Sequence, residues 1–151
     1  MNPAQEMRLV QITPPQILVN ANSWTCAEID TLGYDYCLIV VQLGVLAADM
    51  TALRLTESNN AGQDHVNIDA ATLANAKAIN IDGDVSALPV AADDDTFQVF
   101  ELDLRARRRY LQLVATAGAG NSYLSAFAIL TRAKTKPVTM EDHNVDELIR
   151  I

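Results

Sequence analysis

The run Tyr36-Cys37-Leu38-Ile39-Val40-Val41, within residues 35–43, constrains this chain more than any other feature. Nearly every position is apolar and β-prone, so the segment reads as a strand that is buried on both faces or lies at the centre of a sheet. Extended to Leu46 it is the most hydrophobic stretch of the chain, yet only about half the ~20 residues that a bilayer-spanning helix requires. No membrane insertion is expected.

The segments around this run carry the same chemistry. Ala52-Leu53-Arg54-Leu55-Thr56-Glu57-Ser58 alternates apolar with polar and ends at the turn residues Asn59-Asn60-Ala61-Gly62, as a strand with one solvated face does. Residues 96–104 also alternate. This places Phe97, Val99, Leu102 and Leu104 toward the core, with a bulge-like shift around Phe100 and Glu101. Residues 110–116 and 123–131 are two further strands flanking Ala117-Gly118-Ala119-Gly120-Asn121-Ser122, and predict an antiparallel hairpin. Shorter candidates lie at residues 16–20 and 24–30. Pro14-Pro15 excludes a helix before them, so residues 1–15 read as an extended arm. Residues 65–95 read as a long excursion with at most one short helix, in the helix-favouring stretch 70–78.

Seven or eight strands without alternating helices predict an all-β fold, a single antiparallel β-sandwich or jelly roll rather than a parallel sheet. The expected organisation is an arm over 1–15, a sandwich over 16–133, and a linker and tail over 134–151. That tail opens on Lys134-Thr135-Lys136-Pro137, passes a helix-start pattern at Asn144-Val145-Asp146-Glu147, and ends apolar.

A chain of 151 residues supports one core. Its net charge of -8 disfavours a phosphate backbone as partner, so nucleic acid is not expected. The first residues lack a basic region followed by an apolar stretch, which predicts synthesis and retention in the cytoplasm. Cys26 and Cys37 sit in apolar, strand-like surroundings and read as free buried thiols.

The inventory of reactive groups is thin. His65 and His143 belong to no metal-spacing motif and read as solvated. Asp82, Asp84 and Asp93-Asp94-Asp95 lack the spacing of a calcium loop and read as solvated acidic turns. No serine among Ser58, Ser86, Ser122 and Ser125 stands in a nucleophile elbow or beside a histidine. Gly118-Ala119-Gly120-Asn121 lacks the third glycine and the following helix of a dinucleotide fingerprint. Glu28, Glu57 and Glu101 are the carboxylates from which a glycosidase pair would have to be drawn, and their spacing in sequence selects none. No enzyme, metal or cofactor is expected. Arg105-Ala106-Arg107-Arg108-Arg109 is the one basic concentration. It is read either as a solvated turn paired with nearby Asp and Glu, or as a grip for a carboxylate-bearing partner.

One resemblance spans residues 35–132. A strand ending in Glu57-Ser58-Asn59, the Arg-rich turn 105–109 leading into Tyr110-Leu111-Gln112-Leu113, and the later strand Ser125-Ala126-Phe127-Ala128-Ile129-Leu130 are together similar to small β-sandwich proteins encoded beside capsid genes in tailed bacteriophages. The resemblance implies a virion structural protein, a decoration or cement protein on the capsid exterior. Its partner would be the major capsid protein, and it would form a homo-oligomer, most plainly a trimer. A head fibre or tail component is the alternative, and a carbohydrate-binding domain a more distant one, since Trp24 is the lone tryptophan for stacking on sugars. Contacts to partners are expected at the two ends, through Leu9, Val10, Ile12, Leu148, Ile149 and Ile151, and at the turn carrying Arg105, Arg107, Arg108 and Arg109.

Overall fold

The computed structural model describes residues 6–134. The described chain is an all-β sandwich of two antiparallel sheets. Its strands in chain order are β1 (Arg8–Leu18), β2 (Ser23–Thr25), β3 (Ile29–Asp30), β4 (Tyr34–Leu46), β5 (Ala52–Ser58), β6 (Val66–Thr72), β7 (Phe97–Asp103), β8 (Tyr110–Thr116) and β9 (Ser122–Ala133). One sheet has the order β1-β9-β4-β7; the other has β2-β8-β5-β6, with β3 also paired to β8. Helical structure among the described residues is limited to a 3₁₀ turn at Leu104–Ala106, capped by the Asp103 carboxylate accepting from the Arg105 amide.

β4 is central, hydrogen-bonded to β9 on one side and β7 on the other. Cys37, Ile39, Val41 and Leu43 point into the sandwich and are at most 1% exposed, whereas the alternate residues Leu38 and Val40 stay half-buried on the outside. The central position was correctly read, but the described residues cover one face of this strand only. Against those inward residues pack Leu53 and Leu55 of β5, Leu111 and Leu113 of β8, Leu130 of β9 and Ile29 of β3, all essentially inaccessible. Each such side chain contributes on the order of 1.5–3 kcal/mol by leaving water.

Four expectations are corrected. The arm is a strand of the sandwich: β1 pairs with β9 from Arg8↔Leu130 to Leu18↔Ser122. Pro14 and Pro15 fit because β1 is an edge strand and they fall within a register shift between Thr13 and Gln16, where no ladder donor is required. β7 has no bulge, since its pairing with β4 is unbroken from Phe97↔Gln42 to Asp103↔Tyr36. Phe100 and Leu102 therefore face the core, while Phe97 and Val99 are 58% and 53% exposed. β8 and β9 do not form a hairpin, because they belong to different sheets and residues 117–121 carry the chain across the sandwich. Finally, residues 65–95 are not a strandless excursion, since they open with β6; beyond it, turns replace the one short helix allowed there, and the Asn75 and Asn80 side chains accept from backbone amides two and four residues on, chemistry that competes with a helix.

Candidate functional site

The outer faces of the two sheets differ in kind. On the β2-β8-β5-β6 sheet the outward side chains are mostly polar and bonded to one another: Arg54 Nε donates to Asn67 (3.1 Å), the Ser23 and Thr116 hydroxyls share a 2.7 Å bond, and Gln112 donates to the Cys26 carbonyl (3.0 Å). Glu28, His65 and Thr56 form a short chain on this side. His65 Nε2 lies 2.8 Å from Glu28 Oε2, and its Nδ1 lies 3.3 Å from Thr56 Oγ1. The same Glu28 oxygen accepts the Gly62 amide (2.8 Å), so the group ties the turn after β5 to the segment after β2. His65, read from sequence as solvated, is thus largely covered. The buried Thr56 hydroxyl is within bonding range of the Gln112 carbonyl (3.3 Å), an arrangement that clamps a loop.

The outer face of the β1-β9-β4-β7 sheet has an apolar centre. Adjacent rows run Leu9–Ile129–Leu38–Glu101 and then Gln11–Phe127–Val40–Val99, followed by Ser125–Gln42–Phe97. Ile17 of β1 lies opposite Tyr123 of β9, and both are exposed, at 44% and 45%. Charge is confined to the margins. Glu101 and Asp103 stand on the edge strand β7, and the Arg132 guanidinium lies 5.2 Å from the centre of the Tyr36 ring.

Three of the four arginine side chains of the turn are spent on the protein's own carboxylates. Arg105 forks onto Asp103, Arg109 donates to both Asp30 oxygens (2.8 and 2.7 Å), and Arg107 lies 3.7 Å from Glu57, which also accepts the Arg108 amide (3.1 Å). The Arg105 and Arg109 hydrogen bonds hold the Asp103 and Asp30 carboxyls below their usual range. Arg109 also lies 4.9 Å from the Tyr110 ring centre. The self-paired reading of this turn matches its geometry. Of the other sequence-selected contacts, Ile12 is 3% exposed and Val10 packs against the core, so both are structural, while Leu9 lies opposite Ile129 on the outer face. Leu148, Ile149 and Ile151 lie outside the described residues.

Asp94 accepts the Leu46 amide (2.6 Å), Asp93 the Val90 amide (2.9 Å) and Asp49 the Ala91 amide (2.8 Å), so the acidic segment is pinned by its own side chains. Among the described residues no group of three or more His, Cys, Asp or Glu is placed to hold a metal ion. Two open grooves flank the apolar sheet. The larger, about 620 Å³, lies along the β7 edge, and Glu101 is the only ionisable residue in its lining. The smaller, about 390 Å³, lies beside Pro15 and Ile17, with Asp95 and Tyr123 as its ionisable residues. Both cysteines are free and buried, and burial pushes their thiols up to about 12.

No family model matches the chain, and no curated protein matches it. Among solved structures it is similar to a 4-O-methyl-α-glucuronidase with specificity for decorated arabinogalactans, at 11% identity and a TM-score of 0.40, over 87% of this chain and 17% of that one. It is also similar to a protein of Bacillus endospore appendages, described as disulfide-linked pili, at 12% identity and a TM-score of 0.33, over 87% of this chain and 95% of that one. Neither likeness enters the reading of the site.

Proposed function

We propose that this chain is a non-enzymatic virion structural protein, a decoration protein that binds the outside of a tailed-phage capsid and stabilises the shell. The observation that carries the reading is the two-sided sandwich: one outer sheet face is a hydrogen-bonded polar surface, and the other is a broad apolar surface with charge only at its margins. A face of that size suits a macromolecular partner better than a small substrate, because it is open and extended where ligand sites are concave. The self-paired arginines and pinned acidic turns favour a rigid body whose role is to add contacts. The sequence resemblance to sandwiches encoded beside capsid genes is what supports a capsid as the partner.

The test is sedimentation of the purified protein with shells built from the major capsid protein of the virus that encodes it. Saturable binding at a fixed ratio to shell subunits, with shells that survive heating better when coated, is the expected result. Protein that stays in the supernatant of shells but sediments with purified tails would move it to another virion part. Binding to neither, with retention on a glycan surface, would refute the virion reading.

A further inference from the structure

We infer that the outer face of the β1-β9-β4-β7 sheet is a self-association surface, on which a second copy of this chain packs the same face of its own sheet. The inference stands on the face itself, whatever larger assembly the oligomer joins.

The pattern of the strands is the first argument. An antiparallel sheet with one solvated side alternates apolar-in with polar-out, and β5 and β6 approach that rule, with Arg54, Asn67 and Asp69 outside. β4 and β9 break it. Their outward positions Leu38, Val40, Phe127 and Ile129 are as apolar as their inward ones, which is the pattern of a sheet covered on both sides. The second sheet supplies one cover only.

Exposure is the second argument. Phe97 and Val99 are more than half exposed and Ile17 and Tyr123 nearly half, so four large apolar side chains left in water share this one face, and a contiguous apolar patch of that kind marks an interaction surface.

Charge selects the occupant. The chain carries 19 acidic against 11 basic residues, so two copies repel wherever their general surfaces meet. The rows Phe127–Val40–Val99 and Ser125–Gln42–Phe97 contain no ionisable residue. An isologous, face-to-face contact matches apolar centre to apolar centre and turns the acidic remainder outward. The carboxylates of this face, Glu101 opposite Leu38 and Asp103 opposite Tyr36, stand on its β7 margin and not in those central rows.

The experiment is sedimentation equilibrium of the full chain from about 1 to about 100 μM, a range that spans weak to moderate affinities. The chain is expected to associate, and Val99→Lys and Phe97→Glu are each expected to weaken association at least tenfold while the β-type circular dichroism is kept. Both residues stand on an edge strand with their side chains in solvent, so the fold tolerates the changes, and the opposite charges introduced separate loss of burial from a change in net charge. Trp24→Lys on the other sheet should leave the mass unchanged. A wild-type chain monomeric throughout, or variants that associate as the wild type does, overturns the inference. If the full chain is monomeric but a chain lacking residues 135–151 associates, the face belongs to the chain's own C-terminal segment and not to a second copy. If the monomer binds capsid shells and Val99→Lys abolishes that binding, the face belongs to the capsid protein, and the proposed function survives without this inference.

Discussion

Gly118→Ala should be among the most damaging single-methyl changes in this protein. Residues 117–121 carry the chain from one sheet to the other, and there Gly118 runs against the backbone of the segment after β4. A Cβ at this position would lie 2.1 Å from the Asp49 carbonyl oxygen and 3.3 Å from the Ala48 Cβ. The first distance is more than an ångström short of an ordinary ~3.5 Å contact, so one backbone segment must move. Neither is free to do so. The Gly118 carbonyl accepts the Ala21 amide (2.8 Å), and the Asp49 segment is held by Met50 N donating to Pro89 O (2.9 Å), Thr51 N donating to Thr116 O (3.0 Å) and the Asp49 carboxylate accepting from Ala91 N (2.8 Å). Overpacking costs about 1–3 kcal/mol, and the loss of one such bond adds about 0.5–1.5 kcal/mol. The expected destabilisation is therefore about 2–4 kcal/mol, a large part of the ~5–15 kcal/mol available to a domain. Urea unfolding followed by circular dichroism at a fixed protein concentration measures it. Gly83→Ala is the comparison: it stands at φ +91° with nothing within 4 Å, so only the left-handed backbone penalty of about 1–2 kcal/mol applies. A Gly118→Ala loss below about 0.5 kcal/mol, the range of an ordinary surface change, would refute the close-approach argument.

Two further outcomes follow from the titrating groups. Burial raises both cysteine thiols to about 12, against an unfolded value of ~8.5, so their contribution to stability is complete below about pH 8.5 and is lost as pH rises toward 12. Below pH 8 a thiol reagent should modify the native protein slowly and the urea-unfolded protein fully, and reductant should leave the melting temperature unchanged; rapid native labelling would show the thiols to be accessible. The Asp30 carboxyl is held low by the Arg109 hydrogen bond, so its contribution is present above about pH 4 and lost as pH falls through the folded value. Asp30→Asn should accordingly be less stable than wild type at pH 7 and approach it in acid, and a stability gap that stays constant from pH 7 to pH 2 would contradict the assignment.

Much of the fold was legible because local patterns carried it. Residues 35–43, 52–58 and 110–116 became β4, β5 and β8 since each is a continuous or alternating apolar run ended by turn chemistry. What was not legible depended on partners distant in sequence. Whether Phe97 faces in or out is set by the β4 register, not by the alternation of β7, which is compatible with either face. Pro14-Pro15 looks like a strand stop until β1 is known to be an edge with a register shift. Nothing in residues 117–122 distinguishes a hairpin from a crossing between sheets; the near approach of Asp49 does. The Glu28–His65–Thr56 chain joins three separate segments, and only the alternation of β5, which turns Thr56 outward, hinted at it. The self-pairing of the arginine turn was one of the two readings its charge allowed. The apolar face was not, because its rows cross β9, β4 and β7, and no two of those strands follow one another in the chain.

Coverage of that face in the working state is tested most directly by a single introduced thiol. Cys26 and Cys37 are buried and protonated at neutral pH, so Val99→Cys supplies one reactive sulfur at the middle of the apolar rows. Its rate of modification by a small disulfide reagent, normalised to the fully unfolded chain, is measured from about 1 to about 100 μM protein, with Trp24→Cys on the opposite sheet as control. A Val99→Cys rate that falls at least tenfold as concentration rises, while the Trp24→Cys rate holds, is the predicted result; equal, concentration-independent rates at the two positions would contradict it.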